Sequence, residues 1–163
     1  MGYSKIEHMR IAISNYCHLK CKHCYASNMT QEDFNECEKQ QMSIEMIKEF
    51  IDMLINEFEL EKVSITGGEP LSSFVWPRTR EILTYCLDRN LNVQLNTSGS
   101  GEIMIDEIVK AAGDRLGNIL LHASLDGVKE STVDDFRGID GAFRRARKTI
   151  EDAVSAGITV QTR

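Results

Sequence analysis

Five short runs rich in Ile, Val and Leu recur along the chain: RIAIS at 10–14, KVSIT at 62–66, NVQLN at 92–96, NILLHASL at 118–125 and ITVQT at 158–162. Each is too short to be a helix and reads as a buried strand. Between them the apolar spacing turns helical. Ile44, Ile47, Ile51, Leu54 and Phe58 follow an N-cap candidate, Ser43, and Ile82, Leu83, Cys86 and Leu87 form a second stripe. Ile105, Ile108, Val109 and Ala112 close at Gly113, and Phe143, Ala146, Ile150 and Val154 close at Gly157. Strands alternating with helices specify an α/β fold on a parallel sheet joined by right-handed crossovers, either an open doubly wound layer or an arc of a barrel. The 163 residues are one domain's worth of chain, and a chain of that size buries roughly 70% of its unfolded surface.

In both architectures ligands gather where strands end and loops begin. Four unusual stretches fall at such ends: SNYCHLKCKHCYASN at 14–28, GGEP at 67–70, NTSG at 96–99 and SLDG at 124–127. Cys17, Cys21 and Cys24 stand at i, i+4 and i+7, so on a helix they would share a face as small core residues. The segment lacks a helix-start signal, however, and mixes Asn15, His18, Lys20 and Lys22 among the thiols. Structural zinc, with His18 or His23 as fourth ligand, is a second reading. Such sites usually draw on two ligand pairs, and no second CxxC and no HxxxH is present. A free thiol has a pKa of ~8.5, so three converging thiolates imply a positive centre that displaces their protons. An iron-sulfur cube meets this need, with three cysteines on three iron corners and one iron left without a protein ligand.

CxxxCxxC after a first strand, followed in order by GGEP, NTSG, SLDG and FRGIDGAF at 136–143, resembles the radical S-adenosylmethionine (SAM) superfamily. Within it the likeness is to the peptide-modifying maturases that carry SPASM or twitch extensions, and it covers nearly all of residues 9–162. The resemblance implies a parallel-stranded partial (β/α) barrel of about five units over residues 1–163, against the six usual for the family, with no such extension. It implies a 4Fe-4S cluster on Cys17, Cys21 and Cys24, whose fourth iron is chelated by the amino and carboxylate groups of SAM. One electron, from a small flavin or iron-sulfur protein, then cleaves the sulfonium, and the 5'-deoxyadenosyl radical takes a hydrogen atom from a peptide or a small metabolite. It also implies that carbonyls around Gly67 and Gly68, with Glu69, receive the SAM ammonium. Asn96, Ser98 and Ser124 would contact SAM, Arg137 would clamp its carboxylate, and His23 and Tyr25 would lie near adenine. The same residues read alone fit simpler roles: a tight glycine turn at 67–68, a polar turn at 96–98, a turn dipeptide at Asp126-Gly127, and a solvated arginine in a helix-leading loop at 137.

A formal charge of -6 argues against nucleic-acid backbone binding, which needs a clustered basic face. The one basic run, RRARK at 144–148, reads as the solvated side of a helix. The N-terminus has no signal-like apolar core, no stretch approaches the ~20 apolar residues of a membrane span, and Ile6 stands where a myristoylation signal needs Ser or Thr. A cytoplasmic, reducing setting is therefore expected, where an odd number of cysteines points to metal or chemistry. Cys86 reads as a core thiol, Cys37 as a spare exposed one, and His122 as a satisfied interior histidine. Trp76, Met42, Met46 and Met53 read as packing residues. The fifth strand has no successor, so its open edge is expected to be covered by another copy or a partner chain. A non-catalytic cluster-binding partner of a full-length maturase is the alternative role.

Overall fold

The computed structural model describes residues 5–24 and 31–163. Its strands are β1 (His8–Ala12), β2 (Lys62–Thr66), β3 (Asn92–Thr97), β4 (Ile119–Ala123) and β5 (Thr159–Thr162). Its helices are α1 (Gln31–Lys39), α2 (Ile44–Phe58), α3 (Trp76–Asp88), α4 (Ile105–Ala112), α5 (Glu130–Arg137) and α6 (Ala142–Ser155), with a 3-10 segment over Gly113–Asn118 before β4. All neighbouring strands pair parallel, in the spatial order β1-β2-β3-β4-β5. That order decides between the two expected architectures. A doubly wound sheet reverses its strand order to place helices on both faces, whereas an order without reversal keeps every crossover on one side, as in an arc of a barrel.

The two sheet faces differ accordingly. Ile11, Ile65, Leu95 and Leu121 lie in register across the first four strands and are buried with Val63, Val93 and Ile119. Helices cover this face. Ile47, Ile51 and Leu54 of α2, Ile82, Leu83, Cys86 and Leu87 of α3, and Ile105, Ile108 and Ala112 of α4 complete one apolar cluster. Burial of each such aliphatic side chain contributes roughly 1.5–3 kcal/mol. On the other face the register sets Arg10 beside Ser64 and Gln94, and Asn96 beside His122 and Gln161. No acidic side chain stands at these strand positions.

Local chemistry explains the element ends. The Ser43 hydroxyl caps α2 by accepting from the Met46 amide at 3.1 Å, and Pro77 sits in the first turn of α3, where its missing N–H costs nothing. Three expectations need correcting. The α6 stripe departs at its end: Ala146 is buried as expected, with Ala142 and Ala153, but Val154 is exposed. Met42 and Met46 are exposed rather than packed. Residues 31–39 and 130–137 form helices, although their polar sequences carry no apolar stripe long enough to be read.

Candidate active site at the carboxyl ends of the strands

The loop after β1 carries the thiols, and backbone contacts fix its path. Its root is seated on the two glycines: the Gly68 amide donates to Ser14 O and the Glu69 amide to Tyr16 O, each at 2.7 Å. A Cβ on Gly67 would lie 2.2 Å from Ser14 O, and one on Gly68 would lie 2.0 Å from Tyr16 O. Gly67 also has φ +125, which side-chain-bearing residues avoid. The dipeptide is therefore glycine because two loops touch through their backbones. The far part of the thiol loop leans on the end of α5. The amides of Lys20 and Lys22 donate to Arg137 O and Phe136 O at 3.1 and 2.9 Å, and the His23 ring stacks on Phe136 at 4.7 Å between centroids. Leu19 is buried beneath the loop, and the Cys24 amide donates to Cys21 O at 3.0 Å.

Glu69 and Arg137 are each 1% exposed, and each ties loops together. The Glu69 carboxylate accepts from the amides of Leu71 and Ser98 at 3.0 and 2.8 Å, from the Thr97 hydroxyl at 2.7 Å, and from the Ser98 hydroxyl. Four donors satisfy a buried carboxylate without any cation. The Arg137 guanidinium donates to Asp126 Oδ2 from both Nε and Nη2, at 2.8 and 2.6 Å, and to the carbonyls of Ser98 and Ser124. Its fork thus joins the loops after β3 and β4. Read alone, Arg137 fits a solvated arginine in a helix-leading loop; it is instead buried at the last turn of α5, where Gly138 ends the helix with φ 70. Ser124 is fixed by its amide, which donates to Thr97 O at 3.0 Å.

Cys17, Cys21, Cys24, Gly67, Gly68, Asn96, Ser98, Ser124, His23 and Arg137 line one cavity of about 190 Å³. Glu69 lies behind its wall, and Tyr25 falls outside the described residues. Sequence reasoning missed Asp126, Thr66 and Arg163 on the same lining. Asp126 was legible only as half of the turn dipeptide in SLDG. A larger, open depression of about 1110 Å³ lies over α5 and the start of α6, but it holds no thiol, so the chemistry belongs to the smaller cavity.

Burial pushes the Cys17 thiol up to about 11 and raises Cys21 as well, the nearby Arg137 pulling Cys21 partly back. Both are protonated at neutral pH until a positive centre displaces the proton. Among the described residues no three His, Cys, Asp or Glu side chains are gathered closely enough to hold one metal ion. A single zinc draws its ligands to ~2.3 Å from one point, whereas a cluster takes one thiolate per iron and so accepts sulfurs set apart. Three separated thiols around one cavity fit the cluster. Cys86 is fully buried in the core, and burial pushes its thiol up to about 12; Cys37 is half-buried on α1.

These features agree with comparisons to known proteins. The family model described as the Radical SAM superfamily matches residues 11–163. The chain belongs to the radical SAM superfamily, whose members use a 4Fe-4S cluster and SAM. It is 32% identical over 154 residues to the antilisterial bacteriocin subtilosin biosynthesis protein AlbA of Bacillus subtilis, covering 94% of this chain and 32% of that protein. It is 33% identical over 147 residues to Fe-coproporphyrin III synthase of Methanosarcina barkeri, covering 90% of this chain and 34% of that protein. In fold it is similar to Streptococcus suis SuiB bound to S-adenosylmethionine, at a TM-score of 0.75 and 19% identity over 98% of this chain and 34% of that one. It is likewise similar to anSMEcpe with bound AdoMet and the Cp18Cys peptide, at 0.66 and 17% over 96% and 42%. The chain spans about a third of the length of the curated relatives named here.

Proposed function

We propose that this chain is the core of an enzyme that cleaves SAM reductively and abstracts a hydrogen atom from a bound substrate. The observation that carries the reading is the convergence of three thiols, the 67–68 backbone and the 96–98 and 124 loops on one cavity at the carboxyl ends of a parallel sheet. Cys17, Cys21 and Cys24 would hold the cluster, giving up their protons as they bind. When bound, the cluster supplies the single electron that splits the sulfonium of SAM. The protein's share is placement. The glycine pair seats the root of the thiol loop, and α5 braces its far half. Glu69 and Arg137 hold the Ser98 and Ser124 loops at a fixed separation, so the ligand meets a preformed wall. With its carboxylate already satisfied by four donors, Glu69 acts as a positioning residue, and the ammonium of SAM would meet backbone carbonyls instead.

A peptide substrate is favoured by what two similar proteins are named for, AlbA in subtilosin biosynthesis and anSMEcpe with a bound peptide. Anaerobic reconstitution with iron and sulfide, followed by dithionite and SAM, tests the reading. Brown protein that forms 5'-deoxyadenosine supports it. Colourless protein holding stoichiometric zinc, or a cluster that leaves SAM intact, overturns it.

A further inference from the structure

The helix-free face of the sheet carries positive charge with no acidic side chain at its strand positions. Arg10 on β1 and Lys62 on β2 sit on this face, and neither makes an ion pair or side-chain hydrogen bond among the described residues. Elsewhere cations are mostly paired: Lys5 with Glu61, Lys48 with Glu81, Arg89 with Asp52, Arg115 with Asp88, Lys148 with Asp152. His8 and His122 share the face. Desolvation lowers both histidines, as do Lys62 and Arg10 at His8 and Arg163, then Lys62 and Arg10, at His122, and no carboxylate opposes them. In a chain of formal charge -6, this face is a local reversal of sign.

The charge is also connected to the cavity. The Nδ1 atom of His122 lies 2.8 Å from Asn96 Oδ1, and Gln94 Nε2 donates to the same oxygen at 2.9 Å. Asn96 and Arg163 themselves line the cavity that holds the thiols. A molecule lying along the face from Arg10 toward Asn96 would therefore end at the site of hydrogen abstraction.

We infer that this face is the substrate surface and that it takes a substrate bearing carboxylate or phosphate groups, gripped by Arg10 and Lys62 while its reacting carbon points to the thiol loop. The inference rests on the function proposed above and names its substrate class. Unpaired guanidinium and ammonium groups recognise oxyanions directly. Five strands spaced ~4.8 Å apart make the face about 19 Å wide, the width of a small molecule or short peptide segment. A long polyanion would run off it onto the acidic exterior.

Calorimetric titration of the reconstituted protein, without reductant and without SAM, tests this with three probes: triglutamate, inorganic tripolyphosphate and neutral triglutamine. At least one anionic probe is expected to bind, and whichever binds identifies carboxylate or phosphate as the preferred group. Its affinity is expected to fall at least tenfold in the Arg10→Gln/Lys62→Gln double variant and to be largely kept in Arg10→Lys. Equal binding of triglutamine, no binding of either anion, or anion binding unchanged in the double variant would overturn the inference. Because no turnover is read, a protein that binds the anion yet never cleaves SAM sinks only the catalytic reading.

Discussion

At the scale of single residues, the site depends on contacts made within the protein as much as on the groups that face the cavity. A Cβ at position 68 has no room between the Gly68 backbone and Tyr16 O, so Gly68→Ala is expected to cost about 3 kcal/mol or more and to shift the thiol loop. Loss of bound iron in Gly68→Ala, measured beside the midpoint of urea unfolding, checks both effects. Arg137→Ala leaves Asp126 without its cation and two carbonyls without a donor. Breaking such a pair costs about 3–5 kcal/mol, and the lower end applies because the Asp126 side chain keeps 24% exposure. Arg137→Lys should recover little of this, since one ammonium cannot replace a fork that donates to Asp126, Ser98 and Ser124 together. The thiols separate ligand from core by a different measurement. Cys21→Ala is expected to abolish retention of iron and sulfide, whereas Cys86→Ala, in the apolar cluster, should keep both and lose about 1 kcal/mol of stability.

At the scale of elements, legibility followed the strength of the apolar pattern. β2 and α2 were readable to their ends, since KVSIT is an uninterrupted buried run and Ser43 supplies an explicit cap. The thiol loop, GGEP, NTSG and SLDG were readable as strand-end loops because each follows a strand that could be recognised. What escaped was α5. Its sequence, ESTVDDFR, buries only Val133 and Arg137, and an arginine does not register as an inward-facing residue. Burial there depends on Asp126, which is distant in the chain pattern and adjacent only once β4 ends. The same blindness applied to Glu69, whose four donors come from three separate residues assembled by tertiary structure. The α6 face was misread for the complementary reason. Helical spacing admits two adjacent stripes that share Ala146, and the buried one runs on through Ala142 and Ala153 rather than to Val154.

At the scale of the whole molecule, the sheet presents one apolar, helix-covered face and one face that carries Arg10, Lys62 and two histidines, and pH acts on the second. His8 and His122 have folded-state pKa values below the ordinary 6.5, first because desolvation disfavours the charged ring and then because neighbouring cations repel a further positive charge, Lys62 and Arg10 at His8, and Arg163 ahead of Lys62 and Arg10 at His122. The unfolded chain therefore binds these protons more readily than the folded one. Stability from the neutral rings is fully present above pH ~6.5 and is lost as pH falls through the lower folded values. Urea unfolding between pH 8 and pH 5 is expected to show stability declining on the acid side, with a shallower decline in His122→Gln, which retains a polar partner for Asn96 but cannot titrate. An oxyanion bound on the face would oppose the trend, because it removes the repulsion that keeps the rings neutral. Triglutamate or tripolyphosphate, whichever binds, should flatten the acid slope in the wild type and leave the Arg10→Gln/Lys62→Gln variant unaffected. An acid slope identical with and without the anion would separate the histidines from the binding surface.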